Sequence, residues 1–425
     1  MSNIYEMSEP NPNKLATKQQ KRINLRKIPL AYWVIMTLIL GFGLGLYLPN
    51  NKIVQVIAKS GTYFPKTVVT FATAIIFFLI AAATARLIIT YKDKAGKLFS
   101  RTFLLYVVLG IVSLFWSSLF ILFIIGLPLT TDGAQMPSFA TWVLQVADTF
   151  KTILAKQPLL QILVAAIVTG WVSASMKQVH VVANGIIRIS DGILKVFKWL
   201  LWYYPIMIGC LAIYVPMKFG AKGVVYYGKT VIYVAIVSIS WALLMMIVTK
   251  LITKRSWKQL LSYFWTVYPT GFGTGGSYDT LAVNIISAEK DLQLQPEIAE
   301  VSIVFGTVLN KNAATMAVML CTVTVCWMLQ IPISFTEILL LILPLWILGL
   351  ESPGVPGGAG FFMSPIIAAI LQVPDSNLFV TTFVAMYSGL IPMLTTGTNT
   401  VDDGFIGAML EDRFARSLIK EVSSS

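Results

Sequence analysis

Apolar residues in this chain fall in long unbroken runs. They do not alternate along short strands, as a membrane β-barrel would require. LAYWVIMTLILGFGLGLYL (Leu30–Leu48) and TVIYVAIVSISWALLMMIV (Thr230–Val248) carry no charge. Each is about twenty residues long, enough to cross a bilayer core as an α-helix. The pattern predicts spans at about 30–48, 53–90 with a break or tilt near Pro65, 102–125, 158–175, 196–215 and 230–253. An amphipathic stretch precedes the fifth span, and Trp199, Trp202, Tyr203 and Tyr204 there fit an interfacial belt.

Further along, glycine, proline and small polar residues interrupt the apolar runs. YPTGFGTGGSYDTLAV (Tyr268–Val283), LESPGVPGGAGFFMSP (Leu350–Pro365) and LTTGTNTVDDGFIG (Leu394–Gly407) are the clearest cases. Backbone of this kind cannot face lipid, because its free N–H and C=O groups would go unsatisfied. It must be buried in protein or line a cavity. Paired glycine-rich interruptions in the two halves of a membrane protein point to a transport site. The first follows the basic stretch KLITKRSWK and fits a re-entrant hairpin entered from the cytoplasm. The second lies within Trp327–Asp412, which has no Lys or Arg, and suits a hairpin opening outward. Two hairpins of opposite orientation, each followed by a spanning helix, make an inverted repeat.

Composition agrees: 56% of residues are hydrophobic and 12% charged, outside the range of soluble domains. The net charge of +13 could suggest nucleic acid, but its distribution excludes that partner. The positives gather in a tail with Lys14, Lys18, Lys21, Arg22, Arg26 and Lys27, and in the loops RLIITYKDKAGKLFSR and KLITKRSWK. Cytoplasmic anchors of membrane helices have this distribution. GLPLTTDGAQMPSFATW has neither Lys nor Arg and reads as external. The tail determines topology; contact with anionic lipid is the alternative use of its charge. Cys210, Cys321 and Cys326 have no metal-ligand spacing and read as packing residues. His180, the sole histidine, reads as a loop or interfacial residue. With no metal cluster and no nucleophile–base pairing, the chain does not read as an enzyme.

The order of these motifs resembles the dicarboxylate/amino acid:cation symporter family, which includes the glutamate transporter homologues. PGVPGG (Pro353–Gly358) is similar to the family's second-hairpin tip. GTVLNKNAA (Gly306–Ala314) is similar to the segment that usually carries N-M-D-G-T, and TNTVDD (Thr398–Asp403) to the N-x-x-x-D of the last helix. The resemblance implies an all-α polytopic membrane protein with eight transmembrane helices, two re-entrant hairpins and an elevator mechanism. It also implies a homotrimer, with a scaffold from helices 1, 2, 4 and 5 and a mobile domain from helices 3, 6, 7, 8 and both hairpins. On this basis 1–28 is a basic cytoplasmic tail and 29–255 is mainly scaffold and trimerisation helices, with helix 3 at about 97–125 assigned to the transport domain. The transport-domain core is 256–416, and 417–425 is a cytoplasmic tail. The expected location is the bacterial cytoplasmic (inner) membrane with both termini inside.

Carried over residue by residue, the resemblance implies a first cation site at Gly306, Asn310, Asn399 and Asp403. A second site would use hairpin carbonyls near Gly349, Leu350 and Ser352. A third keeps Tyr106 and Asn310, but Leu109 and Gly110 stand in place of hydroxyls and Asn312 in place of an aspartate. The substrate positions are Ser277, Tyr278, Asp279, Pro356, Gly357, Thr395, Thr396 and Asn399. Thr395 replaces the arginine that clamps acidic substrates and Pro392 an aspartate that receives the amine. The expectation is a secondary active symporter coupled to Na+ or H+, with no other cofactor. Its solute would be an amino acid or carboxylate not held by the usual arginine. The alternative is a channel or a transport-dead sensor on the same scaffold.

Lys311 is the anomaly, an ionisable residue inside an apolar helix. Three readings stand open. It replaces a sodium charge in the degraded third site; it pairs with Asp279, Glu351, Asp402 or Asp403 as a charge-coupled gate or proton relay; or it snorkels to a cavity.

Overall fold

The computed structural model describes residues 30–61, 63, 77–78, 81–82, 85, 89, 96–125, 141, 144, 158–175, 180–351 and 357–412. Among them every regular element is helical. The first part comprises α1 (Leu30–Tyr47), α2 (Lys52–Gly61), α3 (Gly96–Phe120, continued by a π-helical turn Ile121–Ile125) and α4 (Pro158–Ser175). Most of the helix expected over 53–90 beyond Gly61, and most of the external loop, lie outside the described residues.

A helical run His180–Ile252 follows, kinked at Gly220 (φ 63°, ψ −158°) into α5 (180–219) and α6 (221–252). The amphipathic stretch before 196–215 belongs to this run, and His180, read as a loop or interfacial residue, opens the helix instead of sitting in a loop. No proline interrupts the chain from 180 to 204, so the helix continues through the polar turns. At Gly220 the left-handed φ favours glycine, and the neighbouring space is open.

The halves of this run pack differently. On α5, the Gly209 carbonyl and Ala212 lie against Gly41 of α1, and the Ile213 carbonyl and Pro216 lie against Gly45. Any side chain at Gly41 or Gly45 would collide, so the glycines permit this close crossing. On α6, Thr230 Oγ1 lies 3.3 Å from Thr324 Oγ1 and Trp241 Nε1 donates to Asp402, both in the second half of the chain.

There the same sequence of elements occurs twice. Helices α7 (Trp257–Thr274) and α8 (Ser277–Lys290) form an antiparallel pair, followed by α9 (Pro296–Leu309) and α10 (Asn312–Met328), which are interrupted at Asn310 and Lys311. Then α11 (Phe335–Leu340) and α12 (Ile342–Glu351) lead toward α13 (Gly358–Ile370). Helices α14 (Ser376–Tyr387) and α15 (Leu390–Leu410) follow, meeting at a 63° bend. A capping box opens the first arm each time, Ser256 with Gln259 before α7 and Ser334 with Glu337 before α11. In the first pair, Gly275 (φ 63°) terminates α7 and returns its N–H to the Gly271 carbonyl. At the open end Ser262 Oγ donates to Asp291 Oδ1 at 3.0 Å. Residues 352–356, between α12 and α13, lie outside the described residues.

Burial is inverted relative to a soluble protein. Ile39, Leu40, Ile53, Val56, Phe123, Ile124 and Leu251 are exposed, whereas Asn310, Lys311, Asn312, Asn399, Asp402 and Asp403 are buried. Among the described residues four helices are long and apolar enough to cross a membrane: Leu30–Tyr47, Ser100–Ile125, Tyr203–Ile252 and Val301–Met328. The bent α14–α15 pair makes a fifth if it counts as one span. An apolar exterior around a polar interior is what lipid selects. The chain is an integral membrane protein.

A buried ion cluster closes the second half at one end. Arg255 donates through Nε to the Leu292 carbonyl (2.8 Å) and pairs with Glu411 (3.2 Å) and Asp412 (3.1 Å). Glu411 also accepts from Gln295 N–H, and Asp412 from Lys254 N–H. The basic stretch before α7 therefore does more than set topology: it joins the starts of α7 and α9 to the end of α15. Removing one partner of such a cluster leaves uncompensated buried charge, at a cost of about 3–5 kcal/mol. Arg255→Ala is expected to lower the melting temperature of the detergent-purified protein markedly. An unchanged melt would show that the cluster carries no stability.

Candidate cation and substrate site

The polar interior lies where α9–α10 cross α15. Asparagine competes with the helix backbone for hydrogen bonds, and Asn310 breaks the helix with extended geometry (φ −79°, ψ 106°). Its Nδ2 donates to the Asn399 carbonyl (2.9 Å) and to Asp403 Oδ1 (2.8 Å), and its Oδ1 accepts from Asn312 N–H. In return, Asn399 Oδ1 accepts from Ala313 N–H at 2.8 Å. The backbone freed at the break is thus satisfied by the Asn310 side chain itself and by Asn399 of α15.

Gly306 lies directly against this group. A Cβ there would strike the Asp403 carboxylate and the Tyr106 hydroxyl. Tyr106 donates to the Ser302 carbonyl (2.8 Å) and stands 3.5 Å from Asp403 Oδ1. Gly306, Asn310, Asn399 and Asp403 are therefore assembled around one carboxylate, with Tyr106 beside them. Asn310 turns its Nδ2 to the carboxylate, and the Asn310 and Asn399 side-chain oxygens accept backbone N–H groups, so the oxygens left for a hard cation are the Asp403 carboxylate and nearby backbone carbonyls. Among the described residues no group of three His, Cys, Asp or Glu could hold a softer metal.

The third expected cation position is occupied differently. A Cβ on Gly110 would meet Trp346 Cδ1 at 2.7 Å and Nε1 at 2.8 Å, so the indole of α12 packs where a hydroxyl would project. Asn312 Nδ2 donates to Asp402 Oδ2 (3.2 Å), which also accepts from Trp241 Nε1 (2.7 Å). Asp402 Oδ1 is buried with no hydrogen-bond partner among the described residues. A carboxylate thus adjoins Asn312, but it comes from the last helix.

Lys311 is buried, and its Nζ donates to the Thr307 carbonyl at 2.7 Å. No described carboxylate lies within 4.0 Å of that ammonium. Of its expected partners, Asp402 bonds Trp241 and Asn312, Asp403 bonds Asn310, and Asp279 is exposed. The Glu351 side chain lies outside the described residues.

The substrate positions come together only in part. Thr396 Oγ1 donates to the Gly275 carbonyl (3.1 Å), which brings the α7–α8 tip, with Ser277, to the last helix near Asn399. Thr395 spends its hydroxyl on the Pro392 carbonyl (3.1 Å). Tyr278 is half-buried at the tip. Gly357 (φ 78°) lies against Tyr204 of α5, and Pro356 is outside the described residues.

Several supporting residues gave no sequence signal. Trp241 reaches Asp402 across 161 positions. Tyr263 donates to Asn284 Oδ1, and Asn284 Nδ2 donates to the Thr400 carbonyl at 2.8 Å. The Tyr227 hydroxyl donates to the Ser388 carbonyl (3.0 Å) and accepts from Leu390 N–H (3.3 Å), bridging the bend between α14 and α15. Only partner positions far along the chain reveal these roles.

Gly306→Ala forces a methyl group into the Asp403 carboxylate. The sodium midpoint for thermal stabilisation is expected to rise more than about tenfold, the factor carried by ~1.4 kcal/mol. An unchanged midpoint would remove Gly306 from the site.

A comparison with the curated proteins finds no match. The profile of the sodium:dicarboxylate symporter family, in contrast, matches residues 30–413, nearly the whole chain. The chain belongs to the sodium:dicarboxylate symporter family.

Proposed function

We propose that the protein is a secondary active, cation-coupled symporter of a small organic solute, an amino acid or carboxylate bound without the usual arginine clamp. The observation that carries this reading is the Asp403 cluster. Gly306, Asn310 and Asn399 gather around a buried carboxylate where two broken helices cross. The family is one of transporters, and its description names sodium as the coupling ion. From 291 to 412 Lys311 is the only Lys or Arg, so the last helix supplies no guanidinium for an acidic substrate.

In this reading α7–α8 and α11–α13 are the two re-entrant hairpins of an inverted repeat, within a protein of eight spanning helices. The substrate lies between the Ser277 tip and Thr396. Residues 29–255 are mainly scaffold, with α3 in the transport domain and 256–416 its core; Trp241 and Thr230 of α6 bond across to α15 and α10. The close α1–α5 crossing belongs to the scaffold of a homotrimer in the bacterial inner membrane, with both termini cytoplasmic and lipid against the exposed apolar faces. The mobile part travels past that scaffold as an elevator.

A second reading, a channel-like or transport-dead sensor, draws on the Trp346 indole packed against Gly110. Uptake into proteoliposomes under imposed sodium or proton gradients separates the two. Gradient-driven, saturable uptake is expected, and Asp403→Asn is expected to reduce it more than about tenfold, a loss above ~1.4 kcal/mol. Ionic current without solute uptake, or uptake indifferent to Asp403, rejects the symport reading.

A further inference from the structure

Lys311 is the N-cap residue of α10, yet its side chain turns back to the helix before it. The last four carbonyls of any helix lack internal partners. In α9 the Gly306 carbonyl is taken by Asn310 N–H (2.8 Å), whereas the Thr307 carbonyl accepts the Lys311 ammonium at 2.7 Å. A positive charge at a helix C-terminus is favoured by the aligned peptide dipoles. In the low dielectric of a membrane interior that attraction is weakly screened.

The opposite wall comes from α12. A Cβ on Gly349 would lie 2.7 Å from Thr315 Cγ2 and 3.5 Å from Lys311 Cβ. The arm leading to the second tip therefore passes directly over Lys311, and only glycine permits so close an approach. Thr315 fastens the lysine's own backbone from below: its N–H and its Oγ1 both bond the Lys311 carbonyl (2.8 and 3.0 Å). The charge is thus held at a freed helix-end carbonyl, while α12 packs through Gly349 over the Cβ of the same side chain. This place differs from the Asn312 neighbourhood, where Trp346, Trp241 and Asp402 supply the packing and the hydrogen bonds.

We infer that Lys311 is a tethered cation: its ammonium takes the seat of one exchangeable monovalent cation at the Thr307 carbonyl, so transport runs with one fewer free ion. An ammonium and a sodium ion carry the same charge and both suit a carbonyl oxygen. The tether removes the entropic cost of capturing a free ion. This inference rests on the symport reading for its consequence in transport, but not for its binding test.

That test is a sodium titration of thermal stability on the full-length protein in detergent, with choline holding ionic strength constant. A ligand that binds only the folded state raises stability with a dependence on log concentration set by the number of ions bound. The wild type is expected to show a slope of about one ion, and Lys311→Met about two, a twofold steepening. Lys311→Arg keeps the charge and is expected to keep the wild-type slope. A folded Lys311→Met with an unchanged slope overturns the inference. So does a Lys311→Met protein that saturating sodium cannot recover, because a free ion should replace the missing charge. If the wild type ignores sodium but Lys311→Met responds to it, the tethered cation stands and sodium-coupled symport fails. If the wild type responds through Asp403 and Lys311→Met adds nothing, symport stands and the tether fails.

Discussion

A helix interrupted inside a bilayer frees backbone donors and acceptors that hydrocarbon cannot satisfy, and the second half of this protein is arranged around that constraint. Among the described residues of that half, two helices are interrupted, at Asn310–Lys311 and at Ser388–Gly389. At the first, Asn399 caps Ala313 while Asn310 reaches back to the Asn399 carbonyl, so α15 cannot be moved without exposing the break. At the second, one phenol, Tyr227, serves both sides of the bend. The Asn310 amide that serves the broken backbone also donates to Asp403. Satisfying the chain and placing that buried carboxylate are one act of folding.

The electrostatics follow from this arrangement. Asp402 and Asp403 are adjacent on α15, both buried, and directed to different partners. Asp403 faces the broken helix and Tyr106, whereas Asp402 faces Trp241 and Asn312. Lys311 brings a positive charge to the same layer without sharing an ion pair with either among the described residues. Unpaired charge at this depth is expensive, and structures retain it where ions or solutes are handled.

How far the sequence discloses this depends on the range of each interaction. The interruptions were legible, because glycine and asparagine break helices by local means. The capping signals Ser256–Gln259 and Ser334–Glu337 are equally local. The start of the helix at His180 is not legible, because polarity changes there where helicity does not. Arg255 looked like a topology marker, since its carboxylate partners lie more than 150 positions away. Trp241 was invisible for the same reason. For Lys311 the sequence supplied the charge and the question, but not its direction: which carbonyl it meets depends on how α9 ends and where Gly349 passes.

The Arg255 cluster also bears on the order of events during synthesis. Arg255 emerges at the start of α7, but Glu411 and Asp412 follow only after α15 has been made. Until then the guanidinium has no buried counter-charge and must remain hydrated at the membrane surface. The intervening helices can insert, but they cannot lock. The ribosome thus completes the fastening of this half only with its last helix, and folding there is held open until the polypeptide that closes it exists.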